Sequence, residues 1–140
     1  MNPRTTPDTL ARGILESLTD EQMVFAVPHT EYKLHLTPTV PAGEFSKYVG
    51  KRISGVIEAV ALRIHPAQAG GCFIEPIWGA PRIIAGKVCS VDEAERRVLV
   101  DAGVPMWVTA PEGQDLSALV EGQLVNFYVQ SGTSFRPVLS

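Results

Sequence analysis

The feature that most constrains the fold of this chain is an internal repeat at a spacing of 73 residues. Residues 13–38, GILESLTDEQMVFAVPHTEYKLHLTP, align without a gap over residues 86–111, GKVCSVDEAERRVLVDAGVPMWVTAP, and the apolar positions stay in register. The identical pairs are Gly13/Gly86, Ser17/Ser90, Val27/Val100 and Pro38/Pro111. A one-residue deletion then aligns YVGKRISGVI with VEGQLVNFYV, which pairs Gly50 with Gly122. Self-similarity of this kind predicts two copies of one small structural unit.

Each copy has the pattern of short β-strands, because apolar and polar residues alternate between turns such as TDEQ, DEAE, AGVP and QSGT. The predicted strands lie near residues 10–18, 23–29, 32–37, 51–58 and 59–65 in the first copy and 83–91, 96–102, 105–110, 123–130 and 134–139 in the second. The segments GEFSKYV and QDLSALV have helical spacing, which predicts one or two helical turns in each. The sequence therefore predicts an all-β protein.

Five strands with a small helix between the third and the fourth resemble the oligonucleotide- and oligosaccharide-binding (OB) fold, a partly open Greek-key barrel. The chain resembles a tandem pair of such barrels. In outline, the segment GKVCSVDEAERRVLVDAGVPMWVTAPEGQDLSALVEGQLVNFYV also resembles the transport-associated and molybdate-binding (TOBE/MOP-like) barrels. That resemblance implies oxyanion binding at a barrel or subunit interface. Only the spacing matches, so no functional residue is carried over.

The repeat and its connecting segment predict four parts along the chain. They are a flexible N-terminal tail (1–9), a first barrel (10–69), a connecting strap (70–82) and a second barrel (83–140). The strap reads GGCFIEPIWGAPR, in which Pro76 and Pro81 favour an extended backbone outside the centre of a sheet. In one interpretation Phe73, Ile77 and Trp78 are buried and clamp the barrels together. In the other, the strap presents a platform for a ligand or peptide.

Strand alternation predicts which side chains of the second copy face its core. Val98, Val100 and Trp107 are predicted to point inward, and Leu99, Met106 and Val108 outward. Because a contiguous apolar face is seldom left bare, we expect the other barrel, the strap or a second subunit to cover it. Phe127 and Tyr128 are adjacent on one strand, so only one of them can face the core.

Composition and charge bear on the partner. The net charge is −3, and the whole negative excess lies in residues 70–140. The loops TDEQ and DEAE are acidic where a phosphate backbone would approach, which disfavours nucleic acid. Cys72 and Cys89 form neither a CxxC pair nor a disulfide framework, so we expect reduced thiols. No apolar run is long enough for a membrane span or a signal peptide, which predicts a cytoplasmic protein without a membrane partner.

Nothing in the chain has the pattern of a catalytic site. The histidines His29, His35 and His65 are scattered, and neither a phosphate-binding glycine loop nor a closely spaced set of metal ligands occurs. We therefore expect no catalytic residue, no metal and no cofactor.

The sequence favours a non-catalytic binding or assembly module that recognises a macromolecular partner, either another protein or a second copy of the chain. One alternative is weak binding of single-stranded nucleic acid through the first barrel, and another is binding of a small oxyanion at a barrel or subunit interface. The candidate binding surface consists of Phe73, Glu75, Trp78, Arg82, Lys33, His35 and Arg63.

Overall fold

The computed structural model describes residues 9–139, so nearly all of the predicted tail lies outside the described residues. The strands are β1 (Ala11–Leu18), β2 (Met23–Ala26), β3 (Lys33–Pro38), β4 (Arg52–Val60), β5 (His65–Ala67), β6 (Phe73–Glu75), β7 (Trp78–Gly79), β8 (Ile83–Asp92), β9 (Arg97–Asp101), β10 (Pro105–Thr109), β11 (Leu124–Tyr128) and β12 (Ser134–Pro137). Two 3-10 helices, Ala42–Glu44 and Ser46–Tyr48, separate β3 from β4. The all-β prediction is confirmed.

Five of the strands close a barrel. β1, β2 and β3 form an antiparallel meander, and β4 pairs with β1 on its other side. The remaining gap, between β3 and β4, is filled by β12, which runs parallel to β3 and antiparallel to β4. The last strand of the chain therefore completes a barrel whose other four strands all come from the first half.

Aromatic side chains fill this barrel. The rings of Phe25 on β2 and Phe135 on β12 lie with their centroids 5.2 Å apart, and both side chains are fully buried. Phe45, between the two 3-10 helices, is also fully buried. Gly55 on β4 leaves room for Phe135, because a Cβ at this position would collide with the phenyl Cζ.

The other strands extend outward from the end of β4. Its first residues pair with β1 and β12, whereas Glu58, Ala59 and Val60 pair with β10. β10, β9, β8 and β11 then follow in antiparallel order, and β5 lies at the outer edge. The sequence predicted separate strands at 51–58 and 59–65, but β4 runs without a break from Arg52 to Val60.

The predicted facing of β10 is wrong. Met106 and Val108 are fully buried, and Trp107 lies half-exposed on the outer face. The connection between β2 and β3 has six residues, whereas the one between β9 and β10 has three. The two connections differ by three residues, an odd number. The following strand is therefore shifted by an odd number of positions against its neighbour, and the opposite set of its residues faces inward.

The rest of this face differs from the prediction as well. Val98 and Val100 are buried as predicted, but Leu99 is buried too, with 1% exposure. Its direct cross-strand neighbour is Trp107, and the guanidinium carbon of Arg97 lies 4.1 Å from the centre of the indole ring. The outward apolar face of Leu99, Met106 and Val108 predicted from the sequence is therefore not formed, because the structure buries all three side chains.

The connection from β10 to β11 contains turns but no helix, so the helical turn predicted in QDLSALV is not formed. Leu116 and Leu119 of this connection are buried in the core, and the buried Gln114 side chain pairs with both backbone polar groups of Ile64. The amide Oε1 accepts a hydrogen bond from Ile64 N (3.0 Å), and Nε2 donates one to Ile64 O (2.7 Å). Across residues 9–139, no helix is both long and apolar enough to cross a membrane.

Candidate functional site

The strap is fixed to both halves of the chain by its backbone. β6 pairs with β8 of the second half, and β7 pairs in parallel with β3 of the first. Ile77 O accepts a hydrogen bond from Lys33 N (2.9 Å), and the Tyr32 hydroxyl oxygen accepts one from Ile74 N (3.1 Å). The strap is thus part of the sheet edges rather than a loose connection.

The side chains of the strap do not follow the clamp interpretation. Ile74 is buried at 1% exposure, but Phe73 is 37%, Ile77 50% and Trp78 69% exposed. The prediction that these three side chains are buried against the barrels is therefore wrong. Because successive residues of a strand point to opposite faces, burial of Ile74 on β6 turns Phe73 and Glu75 outward.

Trp78 is exposed but held in place. Its indole Nε1 donates a hydrogen bond to the backbone carbonyl of Glu31 (3.0 Å). It pairs with Lys33 across β7 and β3, and the Lys33 ammonium lies 3.1 Å from a carboxylate oxygen of Glu16. A tryptophan whose polar atom is already satisfied presents its apolar ring to a partner at little cost in side-chain entropy.

An open cleft of about 320 Å³ lies beside Ile77. It is lined by Glu75, Pro76, Ile77, Arg82 and Ile83. Within residues 9–139, neither Glu75 nor Arg82 takes part in an ion pair. The cleft therefore combines an apolar wall with one unpaired charge of each sign.

Tyr128 extends this surface beyond the strap. Ile83 pairs with Glu75 on one side and with Tyr128 on the other, so the three side chains form a row on the outer face. Phe127 is buried and Tyr128 is 57% exposed. The sequence predicted that only one of this adjacent pair faces the core but did not assign Tyr128 to the binding surface. We define the strap surface as Phe73, Glu75, Ile77, Trp78, Arg82 and Tyr128.

The structure brings some of the predicted residues together and leaves others apart. Phe73, Glu75, Trp78 and Arg82 belong to the strap surface, and Lys33 lies beside Trp78. His35 lies farther along β3, opposite Val24. Arg63 lies in the connection between β4 and β5, away from the cleft lining.

The ionisable groups of the described residues do not gather into a metal site, since no three or more His, Cys, Asp or Glu side chains lie close enough to hold an ion. Both cysteines are free, Cys72 on the surface and Cys89 half-buried in β8. Partial burial raises the pKa of the Cys89 thiol, and the nearby negative charge of Asp101 raises it further. Cys89 is therefore a poor nucleophile near neutral pH.

A comparison of the chain with protein-family models finds no family that matches, and comparisons with curated proteins and with solved structures find no match either.

Proposed function

We propose that this protein is a non-catalytic assembly module that binds a second copy of itself through the strap surface. The observation that carries the proposal is Trp78, which is 69% exposed although its indole nitrogen is hydrogen-bonded. Exposed aromatic side chains next to aliphatic ones are typical of the centre of a protein interface. Ile77 precedes Trp78 in the chain, and Phe73 and Tyr128 are further exposed aromatic residues of the strap surface; each of the three is at least 37% exposed.

The charges of the strap surface favour a second copy as the partner. Glu75 and Arg82 line the same cleft. A two-fold axis through the cleft would place the carboxylate of each copy against the guanidinium of the other, because both partners of a symmetric dimer use the same patch. The surface is therefore complementary to itself. A nucleic acid fits it less well, because Glu75 would repel phosphate.

Reversal of one charge is expected to break the dimer. Arg82→Glu places like charges opposite each other and is expected to raise the dimer dissociation constant at least about tenfold. Glu75→Arg should have the same effect. The double variant Glu75→Arg/Arg82→Glu restores complementary charges and should dimerise again. Sedimentation velocity over a range of concentrations measures each constant.

Trp78→Ala tests the apolar part of the strap surface in the same sedimentation experiment. A central tryptophan at an interface contributes about 2 kcal/mol or more, so its loss should weaken the dimer roughly thirtyfold. Val120→Ala is the control, since Val120 is 59% exposed but lies in the β10–β11 connection. A parent protein that stays monomeric at every concentration would contradict the proposal, as would a double variant that dimerises no better than the single variants.

We also propose that the outer strands form a second unit of the same OB-like design and that the two units exchange their fifth strands. β12, from the second half, lies between β3 and β4 of the first. In turn, Glu58 to Val60 lie against β10, and Ala61 forms a bridge with Val129 just beyond β11. Each unit thus receives its last strand from the other half of the chain.

The hydrogen bonds around the repeated glycines support this proposal. In both halves a first-strand residue exchanges backbone hydrogen bonds with the start of the fourth strand. The bonds run from Gly50 N to Leu15 O (2.6 Å), Leu15 N to Lys51 O (3.0 Å), Gly122 N to Val88 O (2.8 Å) and Val88 N to Gln123 O (2.8 Å). The register also shifts at the same place, between Leu15 and Ser17 and between Val88 and Ser90. These are the positions that the sequence repeat pairs.

Equivalent glycines should respond alike to substitution. A Cβ at Gly13 would collide with Ala26 O, and one at Gly86 would lie 2.6 Å from Asp101 O. Gly13→Ala and Gly86→Ala are each expected to lower the free energy of unfolding by about 1 to 3 kcal/mol, the range for overpacking. Gly43→Ala is the control, because an added Cβ would have no atom within 4 Å beyond those of its own residue and its two chain neighbours. In urea denaturation, tolerance at one glycine and loss of stability at the other would contradict the equivalence.

A further inference from the structure

A second cavity, of about 470 Å³, lies on the outer face of the closed barrel and has no lining residue in common with the strap cleft. It is lined by Arg12, Gly13, Ile14, Pro28, His29, Arg52, Ile53 and Ser54. Among the residues that the structure describes, the lining contains two guanidinium groups and one imidazole but no carboxylate. A cavity with this lining attracts anions.

Three separate elements supply these groups. Arg12 on β1 pairs with Ser54 on β4, and Arg52 on β4 pairs with Ile14 on β1, so both arginines lie on the outer face of the same strand pair. His29 comes from the connection between β2 and β3. The side chains of Arg12, His29 and Arg52 therefore reach the cavity from different elements instead of lying in one row along a strand.

The loop that carries His29 is held by its own hydrogen bonds. Val27 N donates to Tyr32 O (3.1 Å), and the Thr30 hydroxyl donates to Val27 O (2.8 Å). His29 has a φ of 62°, which is a left-handed backbone conformation that residues other than glycine seldom adopt. Strained residues of this kind cluster at functional sites, where the surrounding structure holds them.

Arg52 is the strongest candidate for the anion contact. It is exposed, and within residues 9–139 it takes part in no ion pair. The planar guanidinium donates paired hydrogen bonds that match phosphate oxygens. Ser54, two positions along β4 on the same face, adds a hydroxyl donor. The cavity is larger than a free phosphate, and its Ile14 and Pro28 walls are apolar, which fits an organic group attached to the phosphate.

We propose that this cavity binds the phosphate group of an organic phosphate, with Arg52 as the main contact and Arg12 and His29 as additional hydrogen-bond donors. The cavity shares no lining residue with the strap cleft, and this proposal does not rest on dimerisation. Two sources would supply the same chemistry, a mononucleotide and the phosphodiester backbone of a single-stranded oligonucleotide. Separate titrations distinguish them.

The test is a titration of the ¹⁵N-labelled protein with inorganic phosphate, adenosine monophosphate, an oligothymidylate and acetate, followed by NMR. We expect the phosphate compounds to shift the amide signals of Gly13, His29 and Ser54, with weaker binding at higher salt. Arg52→Ala should weaken binding at least about tenfold. Arg136→Ala is the matched control, because Arg136 is an exposed arginine on β12 outside the cavity, and its loss should leave binding unchanged.

The titration distinguishes the two sources of phosphate and can overturn the proposal. Oligothymidylate binding that is much tighter than mononucleotide binding and is lost in Arg52→Ala identifies the phosphodiester backbone as the source, whereas equal or weaker binding identifies a small organic phosphate. The proposal is overturned if none of the phosphate compounds shifts these signals. It is also overturned if acetate binds as tightly as adenosine monophosphate, or if Arg136→Ala weakens binding as much as Arg52→Ala. The amide spectrum itself reports whether each variant is folded.

Discussion

Phe135→Ala is expected to lower the free energy of unfolding by about 3 to 5 kcal/mol, the range for truncation of a buried phenylalanine. The side chain is fully buried, and its ring lies 5.2 Å from that of Phe25. It also belongs to the strand that closes the barrel, pairing with Ile57 on one side and Pro38 on the other. Loss of the ring would leave a cavity beside Gly55, a residue with no side chain to fill it.

Chemical denaturation of the parent and the variant measures this loss. Val138→Ala is the control, because Val138 lies just beyond β12 and is 40% exposed. Its truncation should change stability by less than about 0.5 kcal/mol. If Phe135→Ala were no more destabilising than the control, β12 would not be an integral strand of the barrel.

Gln114→Leu is expected to have the next largest effect. The glutamine is 7% exposed, and its amide satisfies both the N–H and the C=O of buried Ile64. Leucine has a similar volume but no polar atoms, so both backbone groups would lose their partner. A buried polar group without a partner costs about 1 to 3 kcal/mol, so we expect a total loss of about 2 to 6 kcal/mol.

Gln123→Leu is the matched control for this substitution. The Gln123 side chain also accepts a backbone hydrogen bond, from Val120 N (3.2 Å), but at an exposed position where water can replace it. We expect this variant to unfold within about 0.5 kcal/mol of the parent. Equal effects of the two substitutions in urea denaturation would show that burial of the Ile64 contact contributes little.

The strands predicted best are those set by local pattern. Alternation and turn chemistry placed β1, β2, β3, β8 and β9 close to their observed bounds. The bounds of β12 were also close to those predicted, but its place between β3 and β4 was not predictable in this way, because its pairing with β3 joins segments far apart in the chain. The three short strands β5, β6 and β7 were also missed. Each lies at a sheet edge in or near the proline-containing strap, where a strand leaves little periodic signal.

The strap surface could be predicted from the sequence in part, whereas the anion cavity could not. Phe73, Glu75, Trp78 and Arg82 stood out in the sequence because aromatic, apolar and charged residues are concentrated in one short strap. The structure leaves all four side chains exposed and places Glu75 and Arg82 in one cleft. The anion cavity gave no comparable signal. Its arginines and His29 lie on different elements, and only the pairing of β1 with β4 brings Arg12 and Arg52 to the same face.

Closure of the barrel by β12 has a consequence for the order of events during synthesis. The facing edges of β3 and β4 stay open on the ribosome until residues 134–137 have left the exit tunnel. The nascent first half therefore carries two unpaired edges, which are prone to pair with other chains. Contacts between such distant segments give a high contact order, so folding is expected to be slow. Aggregation should therefore begin from nascent chains in which β12 has not yet closed the barrel.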